Sequence, residues 1–139
     1  IARFKAGKPV LYYAWTPYWL SNVLRPGQEV VWLQVPRSSM PGVQAGTNTR
    51  LPNGRNYGFP LNNEYIVGNR IWVENNPAAG KLFEIMQIPI NDISRQNQLL
   101  REGESKASDI NRHADAWIKA HQKTFDGWIA QAKAAAVKS

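Results

Sequence analysis

Apolar and aromatic positions fall first in continuous runs and only later at helical spacing, and that change of pattern organises the chain. Residues 9–15 read Pro9, Val10, Leu11, Tyr12, Tyr13, Ala14, Trp15, an unbroken apolar stretch that predicts a strand covered on both faces, as in a sheet between helices. Thr16 then reads as an N-cap with Pro17 at the first helical position, where the missing N–H costs nothing. A short helix over residues 18–24 follows, stopped by Arg25, Pro26 and Gly27. Residues 29–36, ending in Pro36, predict a second strand. Residues 37–60 show little periodicity and repeated turn chemistry, at Pro41-Gly42, Pro52-Asn53-Gly54 and Tyr57-Gly58. A stretch of that length without regular structure is uncommon inside one compact domain.

Residues 65–68 predict a third strand, with Asn69 capping a short helix that carries Ile71, Trp72 and Val73. Asn76 and Pro77 form an N-cap and first helical residue for a helix over residues 78–87, with Leu82, Phe83, Ile85 and Met86 facing inward. Pro89 ends it, Asn91 or Asp92 caps the next helix, and Ile93, Asn97 and Leu100 share a face before Gly103 stops it. Ser108 caps a run in which Ile110, Ala114, Trp117, Ile118 and His121 recur at three- and four-residue steps, the mark of an amphipathic helix. Thr124, Phe125, Trp128, Ile129 and Ala132 extend that pattern into a last helix that frays over residues 134–137. The expected fold class is α/β, helix-rich toward the C-terminus, with helices covering a sheet that lies mostly outside the chain.

Composition narrows the chemistry. In 139 residues, 43% are hydrophobic and 19% charged, which is globular, and no apolar run approaches the roughly 20 residues that span a bilayer. The formal charge of +7 comes from 17 Lys and Arg scattered without a run of three, so the basic, aromatic-interleaved stripe of a nucleic-acid binder is missing and no nucleic-acid partner is expected. With no cysteine there is no thiolate catalysis and no cysteine zinc site. Neither a nucleophile motif nor a phosphate-binding glycine loop occurs, and no enzymatic activity or cofactor is expected. Asp109, His113 and His121 have metal-compatible helical spacing but are too few for a stable zinc site, and a surface pair with His121 packed near a helix end is the preferred reading.

The remaining concentration of chemistry is aromatic. Tyr12, Tyr13, Trp15, Tyr18 and Trp19 place five rings in eight residues, with Trp15 at the expected carboxyl end of a strand and beside a helix N-terminus, the side on which ligands collect in open α/β sheets. An electron-rich ring face attracts a cation, and a cage of such faces holds quaternary ammonium groups that cannot donate a hydrogen bond. The competing reading is a hydrophobic plug. Trp32, Trp72, Trp117 and Trp128 sit in a strand or at helical spacing and are expected to pack.

Residues 7–19, residues 30–36, Leu51-Pro52-Asn53-Gly54, Asn56-Tyr57-Gly58-Phe59-Pro60, Asn76-Pro77-Ala78-Ala79, residues 117–122 and Phe125-Asp126-Gly127-Trp128 together resemble the periplasmic glycine betaine/proline betaine-binding proteins of osmoprotectant ABC importers. That resemblance covers nearly the whole chain and implies the C-terminal half of a two-lobed type II periplasmic-binding-protein fold, with the N-terminal half of the receptor supplied elsewhere. The opening residues, read as the last turn of an earlier helix, agree. The resemblance also implies a ligand, glycine betaine or a related quaternary ammonium osmolyte, held in a box of three tryptophans, and a membrane permease as partner. Trp15 matches one wall of that box by position. Tyr12 and Trp19 are further candidates for ligand contact, with packing favoured for both, and Met40-Pro41-Gly42 is a candidate for the cleft rim. Residues 1–50 are expected on the second lobe and residues 51–139, with the crossover, on the first. The alternative reading is a truncated or split product that acts as an interaction domain without ligand.

Overall fold

The computed structural model describes residues 1–136, and among them regular structure is helical: α1 (Ala2–Lys5), α2 (Trp19–Val23), a 3-10 turn at Gly42–Gln44, α3 (Arg70–Glu74), α4 (Pro77–Ile85), α5 (Ile90–Arg101), α6 (Ala107–Ala120) and α7 (Gln122–Ala136). The chain divides into two compact units, one of Ile1–Val23 with the residues from Ile66 onward, the other Leu24–Tyr65.

The expected strands do not form. Residues 9–15, 31–35 and 61–69 carry no regular structure, and among the described residues β pairing is limited to the isolated bridges Pro26 to Val30 and Arg50 to Asn56. The reason is physical: a strand exists through hydrogen bonds to a neighbouring strand, and apolar content alone does not supply one. Their side chains are correspondingly open to solvent, with Leu11 82%, Val31 75%, Leu33 62% and Val67 88% exposed. The expectation of a helix-rich C-terminal part holds among the described residues, while the strands expected of an α/β fold are replaced there by segments without ladder pairing.

In the helical unit, sequence-local signals act as expected at several ends. The Asn69 side chain accepts a hydrogen bond from the Trp72 N–H at 3.0 Å, which caps α3. Pro77 opens α4, and the Asn76 amide turns back to donate to the Trp72 carbonyl at 2.7 Å instead of capping α4. The helices α3 and α4 pack closely at Gly80, where a Cβ would stand 3.0 Å from a Val73 methyl. Past the end of α5, Gly103 takes a φ of +106°, a backbone region that favours glycine.

Other boundaries move. Helix α5 begins at Ile90 with Pro89 at the N-cap, ahead of the expected Asn91 or Asp92. Helix α6 begins at Ala107, so Ser108 is inside it, and Asp109 accepts from the Lys106 N–H at 3.2 Å. Helix α4 packs along α7, whose Trp128 and Ala132 are buried, while α2 packs on α5. The rings of Trp117 and Trp128 stack 5.8 Å apart at an interplanar angle of 12°, and the Trp117 indole N–H donates to Asp92 at 2.8 Å, which ties α6 to α5 and α7. Trp72 departs from the packing expectation: it is 49% exposed, with Phe83 stacked against it at 6.2 Å. Val137 lies outside the described residues.

The unit Leu24–Tyr65 is organised by polar contacts. Asn56 and Thr49 are buried, and the Thr49 hydroxyl donates to the Asn56 side-chain carbonyl at 2.9 Å. That same oxygen accepts from the Gly58 N–H at 2.9 Å, and the Asn56 amide donates to the Ser38 hydroxyl at 3.2 Å. Buried polar groups satisfied in this way specify one arrangement of a loop-rich segment. Trp32, 39% exposed, lies against Tyr57 at 6.2 Å and not in a strand interior. Arg25 is hydrogen-bonded and ion-paired to Glu29, and this pulls the Glu29 carboxyl down to about 2.

Because Trp128 is the large side chain among the buried hydrophobic residues, the packing of α7 depends on it. Trp128→Ala is expected to lower the unfolding free energy of the chain by about 3 kcal/mol or to abolish the cooperative transition. Ile71→Ala, at a 68% exposed position, is expected to change it by less than about 0.5 kcal/mol; urea denaturation of both variants checks the contrast.

Candidate functional site

The aromatic segment is built from three local features. Residues 9–15 arrive without regular structure, the Thr16–Pro17 peptide is cis, and α2 starts at Trp19. The expected cap at Thr16 with Pro17 opening a helix is thus corrected: the chain turns at the proline and becomes helical two residues later. Inside that turn the Ser21 hydroxyl donates to the Trp15 carbonyl at 2.9 Å, which joins the first turn of α2 to the end of residues 9–15.

The rings form a continuous series. Tyr13 stands 5.8 Å from Trp15 at 49°, Trp15 stacks on Tyr18 at 4.5 Å and 29°, and Tyr18 meets Trp19 at 5.6 Å and 54°. Such offset and tilted pairs are the arrangements that the ring quadrupoles favour. Trp15 is 49% exposed, so the stack with Tyr18 supports its ring without burying it. Tyr12 is half-buried, and burial pushes its hydroxyl above the usual tyrosine value. Trp19 is also half-buried, and the Arg101 guanidinium lies over its ring at 4.3 Å from the centroid.

Helix α5 supplies the floor. The Tyr18 N–H donates to the hydroxyl of Ser94, a buried serine, at 3.3 Å, and the Asn22 amide donates to the Gln98 side-chain carbonyl. Ser94, Gln98 and Arg101 follow at i, i+4 and i+7, one stripe of the helix. On this helix the sequence singles out Ile93, Asn97 and Leu100 as sharing a face, and Ser94, Gln98 and Arg101, like Ser21, are not among the residues it marks. A polar stripe beside an apolar one was the available signal, but its partner is 76 residues away in the chain for both Tyr18–Ser94 and Asn22–Gln98.

The other residues of interest sit elsewhere. Asp109 and His113 do not pair with each other. Arg112 donates to Asp109 at 3.0 Å and also pairs with Glu104, and His113 Nε2 lies 2.7 Å from Glu104. His121 stacks on Trp117 at 4.2 Å and 18°, with its Nδ1 2.9 Å from the Trp117 carbonyl. Among the described residues no group of three or more His, Cys, Asp or Glu is placed to hold a metal ion. In the second unit, Pro26, Gly27, Val31, Trp32 and Arg55 line a cleft of about 300 Å³, and Met40-Pro41-Gly42 leads into the 3-10 turn.

With this geometry in place, comparison with known proteins assigns a class. Residues 1–120 match the substrate binding domain of ABC-type glycine betaine transport systems, and the chain belongs to that family. Among its relatives, the glycine betaine/proline betaine-binding periplasmic protein of Salmonella typhimurium is 58% identical over 135 residues, 97% of this chain and 41% of the relative. The glycine betaine-binding periplasmic protein OusX of Dickeya dadantii is 60% identical over 136 residues, 98% of this chain and 41% of the relative. The glycine betaine/proline betaine-binding periplasmic protein of Escherichia coli is 57% identical over 135 residues, again 97% and 41%. The chain spans 41% of the length of these relatives.

The Glu104 contacts carry a pH dependence. Its carboxyl is held below the usual carboxylate value of 4.5, first by the hydrogen bond with His113 and then by Arg112. A lowered folded-state value contributes stability above the unfolded value and loses it as pH falls through the folded one. Thermal stability is therefore expected to drop as pH falls below about 4.5, and Glu104→Gln is expected to flatten that part of the profile; melting curves between neutral and strongly acidic pH measure it.

Proposed function

We propose that this chain forms part of a non-enzymatic, periplasmic substrate-binding component of an ABC importer, which captures glycine betaine, proline betaine or a related quaternary ammonium osmolyte and delivers it to a membrane permease. The observation that carries the reading is the half-exposed ring of Trp15, backed by Tyr18 and held at its carbonyl by Ser21. A permanently methylated nitrogen has no proton to donate, so it is recognised through its positive charge and its apolar methyl surface, and a supported indole face answers both. Trp15 is the wall that this chain contributes to an aromatic box, with Tyr12 and Trp19 as its neighbours.

The ligand is a zwitterion with no net charge, so the long-range field of a chain carrying +7 adds little to capture. Local faces and dipoles must do the work. Residues 1–50 and residues 51–139 are assigned to the second and first lobes of the assembled receptor as part of the same proposal, with closure of the lobes desolvating the cation and strengthening each contact.

Magnitudes set what one wall can do. A desolvated cation–π contact is worth about 2 kcal/mol, whereas micromolar affinity requires about 8 kcal/mol. The 139-residue chain alone is therefore expected to bind glycine betaine no more tightly than millimolar by calorimetry, and micromolar affinity of the isolated chain would refute the division of the site.

A chimera provides the test of Trp15. Placing this chain in the matching 41% of the Salmonella typhimurium relative restores the remaining length of the receptor. Trp15→Ala in that chimera is expected to weaken glycine betaine binding about 30-fold, the equivalent of about 2 kcal/mol, with Trp15→Phe in between. Equal affinity of the Trp15→Ala chimera and its parent eliminates the role assigned to Trp15.

A further inference from the structure

Four rings in series raise the question of what fixes their positions, since none of Tyr13, Trp15, Tyr18 and Trp19 is fully buried. The support comes from α5. Ser94 receives the Tyr18 N–H at 3.3 Å, Gln98 receives the Asn22 amide, and Arg101 places its guanidinium 4.3 Å from the centroid of the Trp19 ring. The three contacts fall on one stripe of one helix and reach one short segment, residues 18–22. Since the Trp15 ring stacks on Tyr18 and the Trp15 carbonyl is bonded to Ser21, any shift of that segment moves Trp15 from both sides.

We propose that Ser94, Gln98 and Arg101 are positioning residues for the Trp15 ring, and that Arg101, by occupying a face of Trp19, makes Trp19 an anchor and leaves Trp15 as the ring presented to a ligand cation. This rests on the proposed role of Trp15 for its functional half and on the contacts alone for its structural half. The division of labour follows from the chemistry. Trp15 and Trp19 are both electron-rich and lie in the same segment, yet one already bears a cation contributed by the protein. A guanidinium over an indole both stacks and attracts, and holds the ring at low entropic cost because the fork is planar. The Ser94 contact adds a fixed register: a buried hydroxyl that accepts from a backbone N–H holds the main chain at Tyr18 irrespective of how the rings pack. Gln98 extends the attachment one turn along α5. It also donates to Glu102 at 2.7 Å, which leaves its carbonyl oriented toward Asn22.

The experiment uses the 139-residue chain for position and the chimera for binding. In the chain, the indole N–H resonances of Trp15 and Trp19 are followed by two-dimensional nitrogen–proton NMR in Arg101→Ala, Arg101→Lys and Ser94→Ala. Arg101 is exposed, so its replacement leaves the helix intact, and far-ultraviolet circular dichroism checks this. Both indole resonances are expected to move in Arg101→Ala and in Ser94→Ala, and to lie close to the parent positions in Arg101→Lys, which keeps a cation over the ring. In the chimera, Arg101→Ala is expected to weaken glycine betaine binding about 3-fold and Arg101→Lys by less than about 2-fold. In a Trp15→Ala background the Arg101→Ala loss is expected to vanish, since both act through one ring. A Trp15 resonance that stays in place in Arg101→Ala and Ser94→Ala overturns the positioning role. Additive losses in the double variant overturn the route through Trp15. If Trp15→Ala alone leaves the affinity of the chimera unchanged, the proposed role of Trp15 fails, and the resonance shifts still decide the structural half.

Discussion

A ring face can hold a cation only if it is kept open on one side and supported on the other. An indole free on both sides loses rotamer entropy on binding, and one covered on both sides has nothing to offer. In this chain Trp15 stacks on Tyr18, 4.5 Å between centroids, and keeps about half of its surface in solvent, which is the basis for the role proposed for it. Much of the described structure around it can be understood as holding that stack. The Ser21 hydroxyl pins the Trp15 carbonyl, α2 carries Tyr18 and Trp19 onto α5, and α5 is itself tied to α6 through Asp92 and the Trp117 indole.

The helical unit is a thin scaffold for this task. Among the described residues its buried hydrophobic side chains are Trp128 and Ala132, and the stacked rings of Trp117 and Trp128 do by surface contact what a deeper core does by enclosure. The segments without regular structure add little to burial. Val31, Leu33 and Val67 stand mostly in solvent although their residue types are those of a sheet interior.

How far the sequence could be read follows the range of the forces involved. The cap at Asn69, the proline that opens α4 and the glycine beyond α5 depend on residues within a turn of one another, and each is where local chemistry puts it. Residues 9–15 and 29–36 have strand composition, yet strand formation depends on a neighbouring strand, and beyond the isolated bridge of Val30 to Pro26 no ladder forms with them; the pattern of one segment cannot report this. Thr16 and Pro17 are letters that fit a helix start and a bend alike, and the chain bends there. In the candidate site, the rings were legible as a cluster of residue types. Their supports were not, because Ser94, Gln98 and Arg101 are ordinary polar letters on a helix whose meaning comes from a segment far away in the chain, 76 residues for Ser94 and for Gln98.

The pair of Trp19 and Arg101 bears on the proposed ligand chemistry in a particular way. Here a protein cation has settled over an indole in the same short segment as Trp15, so the local surroundings accept a positive charge against a ring face. Arginine, however, retains five N–H donors and can satisfy them in water or against oxygen atoms, which lowers the net gain from the ring. A trimethylammonium group has no such alternative. Its methyl surface gains from leaving water and its charge is not satisfied by any hydrogen bond, so for that ligand the ring face is the principal partner and not one option among several. The same aromatic segment can therefore use one indole for its own architecture and reserve another for a methylated cation, without any difference in the rings themselves.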